Sequence, residues 1–591
     1  MIQALVPLWA AFLIPLAFWA PLEDAFKLPQ SVLSVMLALF LAASRILRPV
    51  LPRSVVFIPV TVAMLGYAAS SLLGRMTRIS DVAVFLALAL SAVLLADRRE
   101  QGRKMVAAMI AAGTLSSLYC FLQFAGLDIL PSPGMGAGLR PFSTMGNPDF
   151  MAAFLVAVLP IAAVNWTAGN SAINALPVAS MAAALLLTQS RGAWLGAVAG
   201  LIAVPFLLLI PGKRVAVPGK MVSAGLVMLA LVVGFFFLHG QARERLSRTF
   251  STGHFDAAGR LFMWKAGMGM IRERPLTGTG PGGFGAAYPE WHARGLAKNP
   301  GFPWFFTDNA HNDYLQIPAE LGLPVFGLVI WLWAVFAGMA VGLVRRGDNL
   351  ALGILVGFIS LQVDALFNFP WYIVPTQAWF WIGLAVLAGR YSGRAVPSLD
   401  GMAKSGLSRL RGAALVLPVM AVILAMFRDV QANAWLKLSG DNLAVGRYPE
   451  ARAMAESADS RWNFWESRVR CANNASLASY SMDDFIAAEK FSKLSLSLAP
   501  RMPGALAQLA LSQARAGRLV EAEKDCRESL SLNPHQAEAW HVLGNIAYLR
   551  RDLRGARQAW EKAYAENPSI PGLAQNLEVL RRNPGAVRKR L

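Results

Sequence analysis

The feature of this sequence that most restricts its fold is a series of long apolar blocks. Most are about twenty residues long, which is the length of an α-helix that crosses a hydrocarbon layer about 30 Å thick. Backbone N–H and C=O groups inside that layer must pair within the protein, and a helix pairs them within one segment. The series therefore predicts a polytopic helical membrane protein of about 12–13 spans. The thirteen predicted blocks are residues 3–20, 29–44, 54–73, 81–96, 105–125, 150–168, 172–189, 192–210, 221–238, 322–344, 350–368, 373–389 and 412–427.

Composition agrees with a membrane protein and excludes several other classes. Of the 591 residues, 55% are hydrophobic and 15% are charged, and the mean hydropathy is +0.46. An average soluble protein carries about a quarter charged residues, so disordered, collagen-like and disulfide-scaffold chains are excluded. The first block has no basic start and no small-residue cleavage site, which predicts a retained span instead of a signal peptide. Cys120 lies in an apolar block and is predicted to pack in the core. Cys471 and Cys526 lie in the outer domain, where a disulfide could form, although their helical context shows no pairing signal.

The basic residues predict the orientation of the spans. The net charge is +20, and one set of alternate loops carries 17 Lys and Arg residues against 5 in the short loops of the other set. Basic loops stay in the cytoplasm, so we expect the N-terminus there and the 239–311 loop on the opposite side. In a bacterium with two membranes, that side of the inner membrane is the periplasm. The charge is then a topological signal, and no nucleic-acid partner is expected.

The C-terminal part has a different composition and an internal repeat. Pro500, Pro534 and Pro568 are each 34 residues apart. Two units in register resemble the tetratricopeptide repeat, so we predict a transmembrane domain over 1–428 and a soluble α-solenoid over 429–591. Such repeats usually bind a peptide or protein, although a rigid spacer with no partner is the alternative. The positions that carry the pattern are Leu509, Ala522, Trp540, Leu543, Gly544, Ala556, Trp560 and Ala563.

Basic residues also mark a candidate site on the outer side. The 239–311 loop carries nine basic and five acidic residues, which suggests an anionic ligand, with a solvated amphipathic helix as the alternative. Arg191 lies in a tight turn between two spans, where a guanidinium needs water, a carboxylate or a ligand. A glycine-rich turn follows Arg260 and Trp264, and its N–H groups could contact an anion. Other polar residues at this level are Arg140, Gly146, Asn147, His311, Asn312, Asp313 and Glu320.

Three motifs carry a family resemblance: SRGAWLG, then R-x3-W leading to PLTGTGPGGF, then HNDYLQ-x3-E-x-G-L-P. Their order and spacing resemble the O-antigen ligase and polymerase family of bacterial membrane glycosyltransferases, over about 140–330 in motif and 1–428 in architecture. The resemblance implies a glycosyltransferase C-like enzyme of lipopolysaccharide or polysaccharide biosynthesis that needs no metal and no cofactor. It implies transfer of a glycan from undecaprenyl diphosphate to an acceptor at the periplasmic face of the inner membrane.

The resemblance also assigns roles to individual residues. His311 matches the catalytic histidine, and Arg191 and Arg260 match the arginines that hold the diphosphate. Arg140, Asn312 and Glu320 are predicted to contribute to substrate binding. Guanidinium groups can stabilise the leaving diphosphate, and a neutral imidazole can accept the acceptor's proton, because nearby arginines lower its pKa.

Several alternatives stay open at the level of sequence. The acceptor could be a lipid A-core, a growing glycan, as in a polymerase, or a protein, as in an O-oligosaccharyltransferase. A transporter or flippase would favour ionisable residues midway through spans. The apolar blocks of this chain are nearly free of charged residues apart from Asp364. Asp308, His311 and Asp313 could bind a divalent metal, or His311 could be an interfacial or capping histidine. A membrane-anchored scaffold would leave the arginines and His311 unexplained.

The last predicted span, 412–427, would carry the repeats to the side of the membrane where the candidate site lies. We therefore expect the repeats to bind a protein or glycan-assembly partner there without supplying catalytic groups.

Overall fold

The computed structural model of the chain describes residues 2–20, 22, 24–46, 56–74, 77–96, 99–128, 140–169, 174–209, 255–296, 305–391, 427–459 and 465–582. All regular secondary structure in these ranges is helical, which confirms the all-α prediction. The chain divides into two compact units. One comprises Met1–Gly282 and Asn309–Phe427, and the other comprises Gly283–Asp308 and Arg428–Leu591.

The helices of the described residues are numbered in chain order. They are α1 (Ile2–Leu13), α2 (Lys27–Ile46), α3 (Phe57–Leu73), α4 (Ile79–Leu95), α5 (Arg99–Phe124), α6 (Pro148–Gly169), α7 (Ala175–Leu187), α8 (Arg191–Leu208), α9 (Phe255–Glu273), α10 (Phe284–Leu296), α11 (Asp313–Val344), α12 (Asn349–Asp364), α13 (Val374–Tyr391), α14 (427–444), α15 (Tyr448–Ala458), α16 (Trp465–Ser481), α17 (Phe485–Leu498), α18 (Pro503–Arg515), α19 (Leu519–Leu532), α20 (Ala537–Leu549), α21 (Leu553–Glu566) and α22 (Leu573–Arg582).

Eleven of the thirteen predicted blocks coincide with helices, namely α1–α8 and α11–α13. The block 221–238 lies outside the described residues, and so does 412–427 apart from its last residue. Within the described ranges, four helices are long and apolar enough to cross a membrane, and six shorter helices are also apolar. Large apolar side chains such as Leu72 and Phe206 are exposed on them, as lipid-facing residues would be. This confirms the predicted class, and the number of spans stays a prediction.

Glycines bring three of these helices into close contact. Gly192, Gly196 and Gly200 follow one face of α8 at four-residue spacing, and all three meet α12. The Ser360 backbone of α12 lies so close to Gly196 that a Cβ atom would not fit, and Gly357 of α12 packs equally closely on α6. Small residues at this spacing let helix backbones approach one another in a membrane. As a result, the start of α8 lies beside the end of α12.

Helix α11 begins earlier than the predicted span 322–344, at Asp313, and is kinked at Gly322. Gly322 has φ 79°, and the Leu276 carbonyl occupies the space that a Cβ atom would need. The N–H of Leu323 donates to the Pro275 carbonyl at 2.7 Å. The kink therefore receives the chain segment that precedes α10, and it adds polar residues to the start of a hydrophobic helix.

The second unit consists mainly of helical hairpins. The pairs α16–α17, α18–α19 and α20–α21 pack as antiparallel neighbours, and α15 packs on α16. The ring of Trp560 is fully buried and fills the space beside Gly544. Both residues are positions of the predicted repeat pattern, which calls for a large residue packed on a small one. In the hairpin α16–α17, small polar residues take equivalent places, and Ser476 and Ser492 share a hydrogen bond of 2.8 Å. The three cysteines are buried and free.

Candidate functional site

Two of the turns predicted to carry the site are joined by Arg140. Its Nε donates to the Thr188 carbonyl at 2.6 Å, and its guanidinium forms an ion pair of 2.8 Å with Asp149 at the start of α6. Asp149 also accepts a hydrogen bond from Ser190. Arg140 thus links the segment before α6 to the turn that precedes Arg191. Protein atoms therefore bind part of the Arg140 guanidinium, and its predicted contact with substrate stays a prediction.

Arg191 is the first residue of α8 and is partly buried. The next residue, Gly192, packs against Asp364 and Asn368. The amide of Asn368 donates to Asp364 Oδ1 at 2.6 Å and lies 3.5 Å from the Ser190 hydroxyl oxygen. Asp364 is fully buried, and its Oδ2 has no hydrogen-bond partner among the described residues. The close packing of α8 on α12 therefore places Gly192, the residue after Arg191, against a buried carboxylate.

His311 lies in the turn that leads into α11. Its ring meets Phe369 edge-on at 5.0 Å, and Phe369 packs in the same way on Phe150 of α6 at 5.3 Å. The imidazole Nδ1 is buried and, in the described part of the chain, has no hydrogen-bond partner. Buried polar atoms are nearly always paired in proteins, so an unpaired one calls for an explanation.

The electrostatic surroundings of His311 favour the neutral imidazole. Burial, followed by the positive charge of Arg260, lowers the pKa of His311 to about 4, although the Asp149 carboxylate partly opposes the shift. Neighbouring arginines are the predicted cause of this shift, whereas burial is the larger cause. At neutral pH the ring can accept a proton.

The backbone is strained at the same turns. Six non-glycine residues in the described ranges have positive φ angles, and three of them are Ser143, Gln189 and His311, at 55°, 51° and 50°. A side chain in this conformation costs about 1–3 kcal/mol, and such residues cluster at functional sites. The other three, Asp483, Arg501 and Arg551, lie between helices of the second unit.

Helix α9 supplies the second predicted arginine. Arg260 is partly buried, and its charge acts on both His311 and Asp364. Trp264 follows one helical turn later on the same face. Its indole N–H is buried and has no hydrogen-bond partner within the described ranges. Because α9 packs against α11 and the Arg260 charge acts on His311, α9 brings a cation to the start of that helix.

Four N–H groups of the glycine-rich turn between α9 and α10 are bound within the protein. Gly278, Gly280 and Gly282 have positive φ angles, which fold the turn onto the kink of α11. Its N–H groups donate to protein oxygens at 2.7–3.0 Å, so the idea that they contact an anion was wrong for these four groups. The pairs are Gly278 with Arg274 O, Thr279 with Ala319 O, Gly280 with Glu320 O and Gly282 with Glu320 Oε2.

Glu320 holds this turn in place. Its buried carboxylate accepts hydrogen bonds from the Gly282 N–H at 2.7 Å, the Tyr372 hydroxyl at 2.9 Å and the Gln316 amide at 3.2 Å. Burial and the nearby Glu320 charge raise the pKa of Tyr372, which keeps its hydroxyl a donor. The Gln316 side chain also accepts from the Ala310 N–H at 2.8 Å, one residue before His311. These contacts pair the Glu320 carboxylate with protein donors, and its predicted contact with substrate stays a prediction.

Asn312 and Asp313 begin α11. The Asn312 side chain makes no cap hydrogen bond, and its buried Oδ1 has no partner among the residues that the structure describes. Asp313 Oδ2 accepts from the Trp371 N–H at 3.0 Å, and the Asp313 N–H donates to the Ala365 carbonyl at 2.9 Å. No group of three His, Cys, Asp or Glu side chains in the described residues is arranged to hold a metal. The alternative metal site at Asp308, His311 and Asp313 is therefore not supported.

The segment between α12 and α13 is not predicted from the sequence as part of the site. Asp364, Asn368 and Phe369 each contact the site, through Gly192, Ser190 and His311 respectively. One signal was available, because a carboxylate inside an apolar block has a functional or structural partner by default. In the sequence, Asp364 is the exception among apolar blocks that are otherwise nearly free of charged residues.

Comparisons with known proteins match part of the chain. Residues 176–332 match the family model described as O-antigen ligase, which confirms the resemblance for a stretch that includes Arg191, Arg260 and His311. No match was found among curated proteins. The match supports membrane glycan transfer as the function of this stretch.

Two solved structures are similar to the chain at low scores. One is YrrB, described as a TPR protein with an unusual peptide-binding site, at 17% identity over 30% of this chain and 95% of that one, with a TM-score of 0.21. The other is yeast Tom70, at 12% identity over 84% of this chain and 97% of that one, with a TM-score of 0.20. These scores are too low to support an argument. The repeat assignment rests on the helical hairpins and on the 34-residue pattern.

Proposed function

We propose that the chain is a glycosyltransferase that moves a glycan from an undecaprenyl-diphosphate carrier to an acceptor at the periplasmic face of the inner membrane. The family match to residues 176–332 supports glycan transfer. The observation that carries the finer proposal is His311, buried and neutral within the electrostatic range of Arg260. Its unpaired Nδ1 and the unpaired Oδ1 of Asn312 are suited to a hydroxyl-rich ligand.

In this proposal His311 is the general base. The acceptor hydroxyl gives its proton to the imidazole as its oxygen attacks the anomeric carbon of the donor sugar. The bond from that carbon to the diphosphate oxygen breaks, and the leaving undecaprenyl diphosphate takes the electron pair. One displacement inverts the configuration at the anomeric carbon. The protonated imidazole, whose folded-state pKa is low, then releases its proton to solvent.

The positive charge for the leaving diphosphate comes from Arg191 and Arg260. A guanidinium binds phosphate oxygens through two parallel N–H groups, and a fixed charge placed where negative charge develops lowers the barrier. The Trp264 indole N–H, one turn from Arg260, is a further donor available to a phosphate oxygen. The Asp364 carboxylate interacts electrostatically with Arg260, and we expect this interaction to limit the movement of that arginine in the absence of the donor.

The decisive experiment supplies the purified protein with an undecaprenyl-diphosphate-linked glycan and, separately, with lipid A-core, a second lipid-linked glycan and a protein acceptor. Mass spectrometry identifies the product, and His311→Ala is compared with His535→Ala, an exposed histidine of the repeats. We expect one acceptor to receive the glycan and only His311→Ala to abolish transfer. Transfer that survives in His311→Ala, or glycan movement across vesicles without any product, would reject the proposal, and the latter would indicate a transporter.

A further inference from the structure

Helix α10 belongs to the same compact unit as the C-terminal repeats, although some 130 residues separate it from them in the chain. Ala293 of α10 is buried in one apolar cluster with Leu506 and Leu532, and the partly buried Leu496 packs against this cluster. Leu532 ends α19, Leu496 lies near the end of α17, and Leu506 lies near the start of α18. The repeats thus contact α10 close to the turns that join consecutive hairpins.

A second face of α10 packs on Phe305, which follows this helix in the chain. Phe284, Tyr288 and His292 follow one another at four-residue spacing with stacked rings, and the Tyr288 hydroxyl lies 2.9 Å from His292 Nδ1. Phe305 packs on the His292 ring at 4.6 Å. Phe305 is therefore held against the helix that precedes it in the chain.

The two ends of this loop also approach each other. Gly285, at the start of α10, lies against Asp308 with no space for a Cβ atom. The described residues at the two ends of this loop, 283–296 and 305–308, thus meet at Gly285 and Asp308 and belong to the second unit. The chain enters this loop directly after Gly282, whose N–H donates to Glu320, and leaves it three residues before His311. A contact that holds α10 therefore also restrains Asp308, which lies three residues before His311.

We propose that the C-terminal repeats hold the 283–308 loop through Ala293, Leu506 and Leu532, and so act as a positioning element for His311. The ligand of this part of the repeats is then a helix of the same chain. The proposal rests on the function proposed for His311. It explains why a transferase would carry repeats that supply no catalytic group, since a displacement of about 1 Å near the reacting atoms can lower a rate about 100-fold.

The contact between α10 and the repeats can be tested by cross-linking, without an activity assay. Full-length protein with Cys471 and Cys526 replaced by alanine receives Ala293→Cys together with Leu532→Cys, and is treated with a thiol cross-linker shorter than about 10 Å. A control pairs Ala293→Cys with Val520→Cys, an exposed position on the same helix and about 18 Å from Leu532 at 1.5 Å per residue. We expect an intramolecular cross-link only in the first pair. Its absence, or equal cross-linking in the control, would overturn the proposal.

The positioning role needs a kinetic test. Ala293→Glu places a charge in the apolar cluster, whereas Arg294→Glu places the same charge on the neighbouring exposed position. We expect Ala293→Glu to lower kcat about 10–100-fold with little change in the Kd of the donor, which the arginines bind. Arg294→Glu and the conservative Ala293→Ser should stay close to the parent.

The outcomes separate the two proposals. An unchanged kcat in Ala293→Glu, together with the cross-link in the parent, would show packing without positioning and would overturn this inference while leaving the proposed function intact. Loss of activity in Ala293→Glu that is accompanied by a lower Tm of the repeats would also overturn it, because the effect would then be unfolding. If His311→Ala keeps activity, the proposed function fails, and the cross-link still reports whether α10 binds the repeats.

Discussion

Glu320 and Gly282 are joined by a hydrogen bond of 2.7 Å from the backbone N–H to the carboxylate, across a separation of 38 residues. The same oxygen accepts from the Tyr372 hydroxyl. This single buried carboxylate therefore fixes the glycine-rich turn to the kinked start of α11, which also carries Asp313 and is preceded by His311.

Replacement of Glu320 tests this role. Glu320→Ala leaves the Gly282 and Tyr372 donors buried without an acceptor, which should cost about 1–3 kcal/mol of stability. Glu320→Gln keeps an acceptor oxygen and should be milder. Thermal unfolding in detergent measures the difference, with the exposed Glu290→Ala as the control. Equal Tm values for Glu320→Ala and the parent would show that the carboxylate does not hold the turn.

The pH dependence of transfer should follow the lowered pKa of His311. A free histidine has a pKa near 6.5, and the folded protein lowers it to about 4, so the base stays neutral and active as pH falls from 6.5 towards 4. We expect the acid limb of kcat/KM near pH 4. The same shift means that this residue's contribution to stability is lost over that interval, because the unfolded chain then binds the proton more readily.

Arg260→Gln provides the matching test, because it removes the second cause of the shift while burial remains. The acid limb, or an NMR titration of the imidazole, should move upward by part of the distance to 6.5. A titration of the parent near pH 6.5 would contradict the burial and charge seen at His311.

The two arginines should contribute to donor binding and not to folding. Arg191→Ala or Arg260→Ala removes a charged hydrogen bond, and we expect the Kd of the lipid-linked donor to rise about 10–100-fold. Lysine should restore it only partly, since an ammonium lacks the planar fork. The exposed Arg294→Ala is the control, and equilibrium binding of the donor is the measurement. Activity should persist in excess chelator. Loss of activity in chelator, followed by its recovery with an added metal, would instead indicate a metal-assisted reaction.

The glycine contacts between α8 and α12 make a prediction about stability. Gly196→Ala forces a methyl group against the Ser360 backbone, and overpacking of this kind costs about 1–3 kcal/mol. Gly327→Ala is the matched control, because no atom lies within 4 Å of the added Cβ. We expect a lower Tm and weaker donor binding only in Gly196→Ala. An equal Tm in both variants would mean that α8 and α12 do not need this close approach.

The sequence predicts the helical class and eleven helix positions because apolar blocks of this length report directly on burial in a membrane. It predicts His311, Arg191 and Arg260 because their motifs are local. It does not predict the partners of Arg140 and Glu320, since both act through residues that are distant in the chain. Arg140 meets Thr188 across 48 residues, and Glu320 meets Tyr372 across 52.

The grouping of α10 with the repeats was likewise not predictable from the sequence. Ala293 is an ordinary small residue in an ordinary helix, and no periodicity connects it to Leu506 or Leu532. The α16–α17 hairpin escaped the repeat pattern for a different reason. Serine and alanine stand where larger residues mark the later units, and only the packed helices reveal the equivalence.

The glycine-rich turn has a consequence for biosynthesis. The Pro281 carbonyl of this turn accepts a hydrogen bond from the Arg78 N–H, which lies earlier in the chain. The turn is also hydrogen-bonded to residues 319–323, which lie later in the chain. During translation, the turn can acquire its final shape only after the segment that contains Glu320 has left the ribosome and entered the bilayer. The early helices are therefore made before the late helix that completes this turn. A nascent chain that stops before residue 320 would contain Arg191 and Arg260 but no formed site.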